Sequence, residues 1–210
     1  MRKIDKGVEP QLLTRFKAKH PAKSYNDLDH AARAAIRQTC TAEQLHLCAY
    51  CCVQISGERG DTLNEHLLSR DHHPQLSLAF ENIVASCNTP GQCDAAKGNR
   101  FAPLSPLMSE CEEELRFLVS GRVEGLSQRA VDTIEVLNLG DHENSNKRLV
   151  EKRRELSRML LLVNGVDPAS PVEDDELLQM VLDDLNRPYQ GKLESFAPVV
   201  ANILKGWLSV

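Results

Sequence analysis

The fold class this sequence predicts is mainly α-helical, with one small zinc-stabilised module set between N-terminal and C-terminal helices. Two observations carry the prediction. Cysteines gather between positions 48 and 93, around a stretch rich in turn residues and poor in large apolar side chains. Helix-forming patterns run up to that stretch and resume after it. Three segments follow: 1–46, a basic arm with helices; 47–104, the cysteine-bearing module; and 105–210, a helical region suited to docking a partner.

Taken in order, Ser24 and Thr41 read as helix N-caps, the latter opening the capping box Thr41-Ala42-Glu43-Gln44, and DLDHAARAAIRQ between them is rich in good helix formers. Val53, Ile55 and Leu63 flank the turn signal Gly57 to Gly60, which predicts a small hairpin across 50–66. LSLAFENIV after Pro74 predicts a short helix or helical turn, and Ser105-Pro106 predicts a helix start, because proline at the first helical position sacrifices no hydrogen bond. SQRAVDTIEVLNL, NSNKRLVEKRRELSRMLLLV and EDDELLQMVLDDL are each helical in pattern. Phe196, Val199, Val200, Ile203, Leu204, Trp207 and Leu208 then form the apolar stripe of a last amphipathic helix, a candidate docking surface.

Composition excludes several classes. With 41% hydrophobic and 26% charged residues the balance is that of a soluble chain, and no apolar run approaches the roughly 18–20 residues that span a bilayer. The charged start MRKIDKGVEP lacks the apolar core of a secretory signal, so a reducing cytoplasm is the expected location and metal ligation the expected use of the cysteines. A net charge of -5 argues against a uniformly basic nucleic-acid coat. Charge is nonetheless uneven: residues 1–37 carry nine Lys/Arg against four Asp/Glu, and 164–185 carry seven acids and no base. Aromatic residues make up only 4% of the chain, which gives little support to a stacking platform for single-stranded bases. No P-loop pattern is present, so nucleotide hydrolysis would have to come from another protein.

The strongest local signal is Cys48-Ala-Tyr-Cys51, followed by Cys87 and Cys93. Two thiolate pairs separated by a folded insert suit a tetrahedral structural zinc site, which supplies on the order of 10 kcal/mol of folding free energy to a module with a thin core. The second pair is looser than usual, with Pro90-Gly91 inside it, and Cys52 is an alternative to Cys51. Cys40 and Cys111 have no partner at knuckle spacing and read as core thiols.

The order Cys48, Cys51, Glu65-His66, Asn82, Cys87, Cys93-Asp94, Lys97-Gly98 resembles the HNH nucleases. That resemblance implies a ββα-metal fold for 47–104, with an acid–His pair on the second strand, a central Asn bracing the loop between the strands, and the last ligand at the start of the helix. MRKIDKGVEPQLL and LNLGDHENSNKRL are further similar to the PtuB-like HNH proteins of retron and Septu-type bacterial anti-phage defence systems. The resemblance implies a toxic endonuclease effector acting on DNA or RNA with a PtuA-type ATPase partner, and it extends to a retron reverse transcriptase and its RNA–DNA product.

Phosphodiester hydrolysis needs a base for water and a cation for the phosphorane. His66 is the expected general base, because an unperturbed imidazole is substantially neutral at cellular pH. Glu65 and Asp94 are the expected ligands of a catalytic Mg²⁺ or Mn²⁺. Successive strand residues point to opposite faces, so Glu65 and His66 must lie at a strand end if both are to reach one phosphate. Lys97 and Arg100 are candidate phosphate contacts or a solvated helix face. His72 and His73, next to a loop-turning Asp71, are either metal or phosphate contacts or plain loop residues. Lys147, Arg148, Lys152, Arg153, Arg154 and Arg158 form a basic stripe opposite Leu149, Leu156, Leu160 and Val163, available to nucleic acid or to an acidic partner. The competing expectation is a zinc-stabilised interaction module without catalysis, in which Glu65, His66 and Asp94 are incidental.

Overall fold

The computed structural model describes residues 1–142, 145–169 and 174–208. Parts of LNLGDHENSNKRL and of the acidic 164–185 stretch thus lie outside the described residues. The chain is helical with small two-stranded sheets: α1 (Gln11–Lys19), α2 (His30–Glu43), β1 (Thr62–His66), β2 (Ile83–Cys87), α3 (Asp94–Lys97), β3 (Leu115–Phe117), β4 (Val123–Gly125), α4 (Gln128–Leu137), α5 (Lys147–Val163), α6 (Asp175–Leu185) and α7 (Ala197–Lys205). No described helix is long and apolar enough to cross a membrane.

α2 begins at Asp29, whose carboxylate accepts from the Ala32 amide at 2.7 Å. Nothing in 30–43 breaks the helix, so Thr41 is buried inside it rather than capping a new one, a correction to the expected start. Ser24 heads only a single 3-10 turn, Tyr25–Asp27.

The hairpin expected around Gly57 does not form. β1 pairs antiparallel with β2, in the register Glu65↔Val84 and His66↔Ile83, across the loop 67–82. An isolated bridge, Leu47↔Gln54, closes the first cysteine turn instead. Burial decides this: β2 reads IVASC and is buried on both faces, so it needs a partner strand and a covering helix, which β1 and α2 supply. Within 74–82 two 3-10 turns, Pro74–Leu76 and Phe80–Asn82, stand where a short helix was expected.

No helix starts at Ser105-Pro106. The Ile4 amide donates to the Pro106 carbonyl and the Leu104 amide to Thr133 Oγ1, and the chain makes only an isolated turn, the Met108 amide donating to the Ser105 carbonyl, before a 3-10 turn at Ser109–Cys111. The β3–β4 hairpin that follows was not expected. α7 covers its edge through Asn202, which accepts from the Phe117 amide and donates to the Leu115 carbonyl. The apolar face of α7 is therefore used inside the chain: Val199, Val200, Ile203 and Leu204 are buried, and the docking face expected there is covered by the protein's own core.

The basic stripe of α5 also needs correction. Leu149, Arg153, Ser157 and Leu161 form its buried face, while Val163 is exposed. Arg153 is enclosed, donating to the carbonyls of Gly121 (2.8 Å) and Leu139 (2.9 Å) beneath the Phe117 ring. Gly121 permits the approach, since its φ is +84° and a Cβ there would collide with the Val150 carbonyl. Arg153→Ala strands both buried carbonyls, and at about 1–3 kcal/mol each we expect a loss of roughly 3 kcal/mol in denaturant unfolding. Arg154→Ala, at an exposed position, is expected to stay within about 0.5 kcal/mol of wild type.

Candidate metal centre and polar groove

The four cysteines converge. The sulfurs of Cys48, Cys51, Cys87 and Cys93 all lie within 4.8 Å of one another and are buried. Cys48–Cys93 is 3.8 Å and Cys51–Cys87 3.9 Å, far from the roughly 2.05 Å of a disulfide. Four sulfurs about 2.3 Å from a central zinc stand about 3.8 Å apart at the corners of a tetrahedron, so the donor set and its spacing fit structural zinc. Cys51 takes part and Cys52 does not: Cys52 adopts φ +62° in the tight turn and its carbonyl accepts from the Phe196 amide. Cys93 sits at φ +53°, a conformation that costs energy outside glycine and that swings its sulfur back to the first knuckle across the long insert. Burial raises the Cys93 thiol, while hydrogen bonds from the neighbouring thiols lower that of Cys87.

A surrounding shell of hydrogen bonds steadies the cluster. Gln92 Nε2 donates to the sulfurs of Cys87 (3.5 Å) and Cys51 (3.7 Å), and the Cys87 amide donates to Cys48 Sγ (3.3 Å). Asn146 Nδ2 donates to Gln92 Oε1 and to the Asn138 carbonyl, and Asn138 Nδ2 donates to the Gly91 carbonyl. The distant Asn138–Asn146 stretch therefore braces the second knuckle. Cys40 and Cys111 lie apart from the cluster as buried thiols, each pushed up to about 12 by burial.

Glu65, His66 and Asp94 line one polar groove of about 340 Å³ together with Ser69, Arg70, Asp71, Gly98 and Asn99. Glu65 and His66 are the last two residues of β1, where the strand turns into the loop, so both face the groove despite strand alternation. Glu65 is buried: Tyr50 donates its hydroxyl to Oε1 at 3.0 Å and Lys97 Nζ lies 2.9 Å from the same oxygen. Burial first, and then the neighbouring Asp94 carboxylate, push the Glu65 carboxyl up to about 8, with Lys97 pulling the other way. His66 Nε2 donates to the Ser77 carbonyl at 3.0 Å; a carbonyl only accepts, so the neutral ring keeps its lone pair on Nδ1. Burial holds His66 down to about 4, and the Tyr25 ring sits edge-on against it at 4.7 Å. Asn82 ties down the loop beside it, accepting from the Leu68 amide (2.9 Å) and donating to the Leu68 carbonyl (3.0 Å).

Lys97 is corrected here. Its ammonium is fully buried, paired with Glu65 and donating to the His66 carbonyl at 2.9 Å, so it organises the groove from behind and cannot meet a phosphate. Arg100 is on the surface and engages the carbonyls of Ala96 and Val136. His72 is exposed and His73 precedes a 3-10 turn; neither lines the groove, and Asp71 accepts from Asn99. Arg70, which sequence reasoning passed over, is the exposed cation of the groove, resting over the Tyr25 ring at 4.9 Å. Tyr50 and Gln92 were also missed; their positions inside the first and second cysteine pairs were the only local signal. No protein-family model and no curated protein matches this chain.

Two outcomes are expected. Cys87→Ser should lose the single equivalent of zinc measured by elemental analysis and unfold the module, whereas Cys52→Ser keeps the metal. His66 ionises less readily folded, near 4, than unfolded, near 6.5, so its contribution to stability is present above pH 6.5 and lost as pH falls to 4. Subtracting the pH–stability curve of His66→Asn from that of wild type should isolate this loss in that window.

Proposed function

We propose that this protein is a metal-dependent endonuclease of HNH type, with His66 as general base and Glu65 and Asp94 as the ligands of a divalent cation. The observation that carries the reading is the shared groove, lined by an imidazole of fixed tautomer and by two adjacent carboxylates.

The chemistry follows from these side chains. His66 Nδ1 is the atom that takes the proton of an attacking water, with the Ser77 carbonyl holding the ring in the required tautomer. A basicity held near 4 is low for this task, but an anionic phosphate entering the groove favours imidazolium and moves it upward. Tyr50 and Lys97 engage Oε1 of Glu65, leaving the second oxygen and Asp94 for a cation. Bound there, Mg²⁺ or Mn²⁺ would neutralise charge on the phosphorane and on the leaving oxygen, and would offset the burial and the Asp94 repulsion that push the Glu65 carboxyl up. Arg70 is positioned to steer the phosphate. The four-cysteine cluster serves as the structural zinc site. Resemblance of MRKIDKGVEPQLL and LNLGDHENSNKRL adds the biological setting, an anti-phage defence complex with an ATPase partner.

One observation favours a second reading. The buried Lys97–Glu65 pair gives Glu65 a structural role, as a non-catalytic zinc-stabilised interaction module would require. Cleavage of single- and double-stranded DNA and RNA, with and without added Mg²⁺ or Mn²⁺, separates the two. We expect cation-dependent cleavage that falls about 10²- to 10⁴-fold in His66→Ala and also drops in Asp94→Asn, with zinc content unchanged. Equal cleavage by wild type and His66→Ala would sink the nuclease reading.

A further inference from the structure

Beside the polar groove lies a second cavity, of about 300 Å³ and overwhelmingly apolar. Two runs of chain supply residues to both. On one side Leu67 and Leu68 line the cavity, while Glu65, His66 and Ser69, on the same run of chain, line the groove. On the other, Gly98 and Asn99 line the groove and Phe101, two residues on, lines the cavity. Tyr50 reaches from one to the other, its ring lining the cavity and its hydroxyl on Glu65.

The lining chemistry limits the occupant. No Lys, Arg or His faces this cavity and it carries the Glu81 carboxylate, so a phosphate is repelled from it, in contrast to the groove with Arg70 and His66. Its volume is at the low end of the roughly 300–1,000 Å³ of small-molecule sites, room for one planar ring system and too little for a helix. Phe101 is 61% exposed, an aromatic ring with no stacking partner among the described residues.

We propose that the cavity receives one unstacked nucleobase of the substrate strand, stacked on Phe101, and so directs the protein to single-stranded or locally opened nucleic acid. This deepens the nuclease reading and rests on it for the position of the phosphate. A stacked base contributes about 1–3 kcal/mol, equivalent to about 5- to 150-fold in affinity. A base must leave its duplex partner to reach such a site.

The test is fluorescence titration of Phe101→Trp with a short single-stranded oligonucleotide and with the same backbone lacking its bases, against the unsubstituted protein as background for Trp207. We expect quenching by the base-bearing strand alone, and binding about 5- to 150-fold weaker in Phe101→Ala. The baseless strand should bind wild type and Phe101→Ala equally. Equal quenching by both strands, no binding, or unchanged affinity in Phe101→Ala would overturn the proposal and leave the cavity to some other occupant, such as a partner's side chain. The two readings fail separately. Quenching without any cleavage leaves the base site standing and removes the nuclease. Cleavage that is lost in His66→Ala but indifferent to Phe101→Ala does the reverse.

Discussion

Four sulfurs held to one buried point constrain everything else in this protein. Cys48 and Cys51 fix the turn before β1, Cys87 ends β2, and Cys93 sits immediately before α3, so one cluster ties together the starts and ends of three elements. Its geometry is demanding. Cys93 must adopt a left-handed backbone, and Gln92 must turn its amide onto two sulfurs, so neighbouring residues are committed to the cluster rather than to the core. The reach extends further through Asn138 and Asn146, which is why helices late in the chain pack against the second knuckle. The core itself runs without a break from the N-terminal arm through the knuckles to α7.

What the cluster positions is a groove whose electrostatics are internally opposed. Glu65 is surrounded by low dielectric and a second carboxylate, both of which disfavour its charge, and is answered by a buried ammonium at 2.9 Å. Lys97 is held in turn by the His66 carbonyl, which ties α3 to the end of β1. Tyr50, inside the first cysteine pair, couples the metal knuckle directly to this acid.

Much of the candidate site was legible in the chain because its signals are local. The cysteine spacing, the adjacent Glu65-His66 and the placement of Asp94 one residue after a ligand are all chemical patterns of a few residues, and the structure brings them together. The later helices were legible for the same reason, since a period of 3.6 needs no knowledge of the partner surface. Other expectations failed where a local signal competed with a distant one. Thr41 carries a good capping sequence but lies within a helix already started at Asp29, and Gly57 to Gly60 marks a turn whose flanking segments pair elsewhere.

The sequence by itself determined which side chains could bind metal, take a proton or form helices, because those properties belong to residue type and short spacing. Tertiary structure alone decided which were free to act. Lys97 and Arg153 read as solvent-facing cations and are enclosed, Cys51 is chosen over Cys52, and Phe101, one of few aromatics, stands exposed beside the groove. Burial and the partner of a long side chain depend on what packs over it from remote parts of the chain. For Lys97 that is β1, and for Arg153 the turn at Gly121, and neither leaves a trace in the residues on either side.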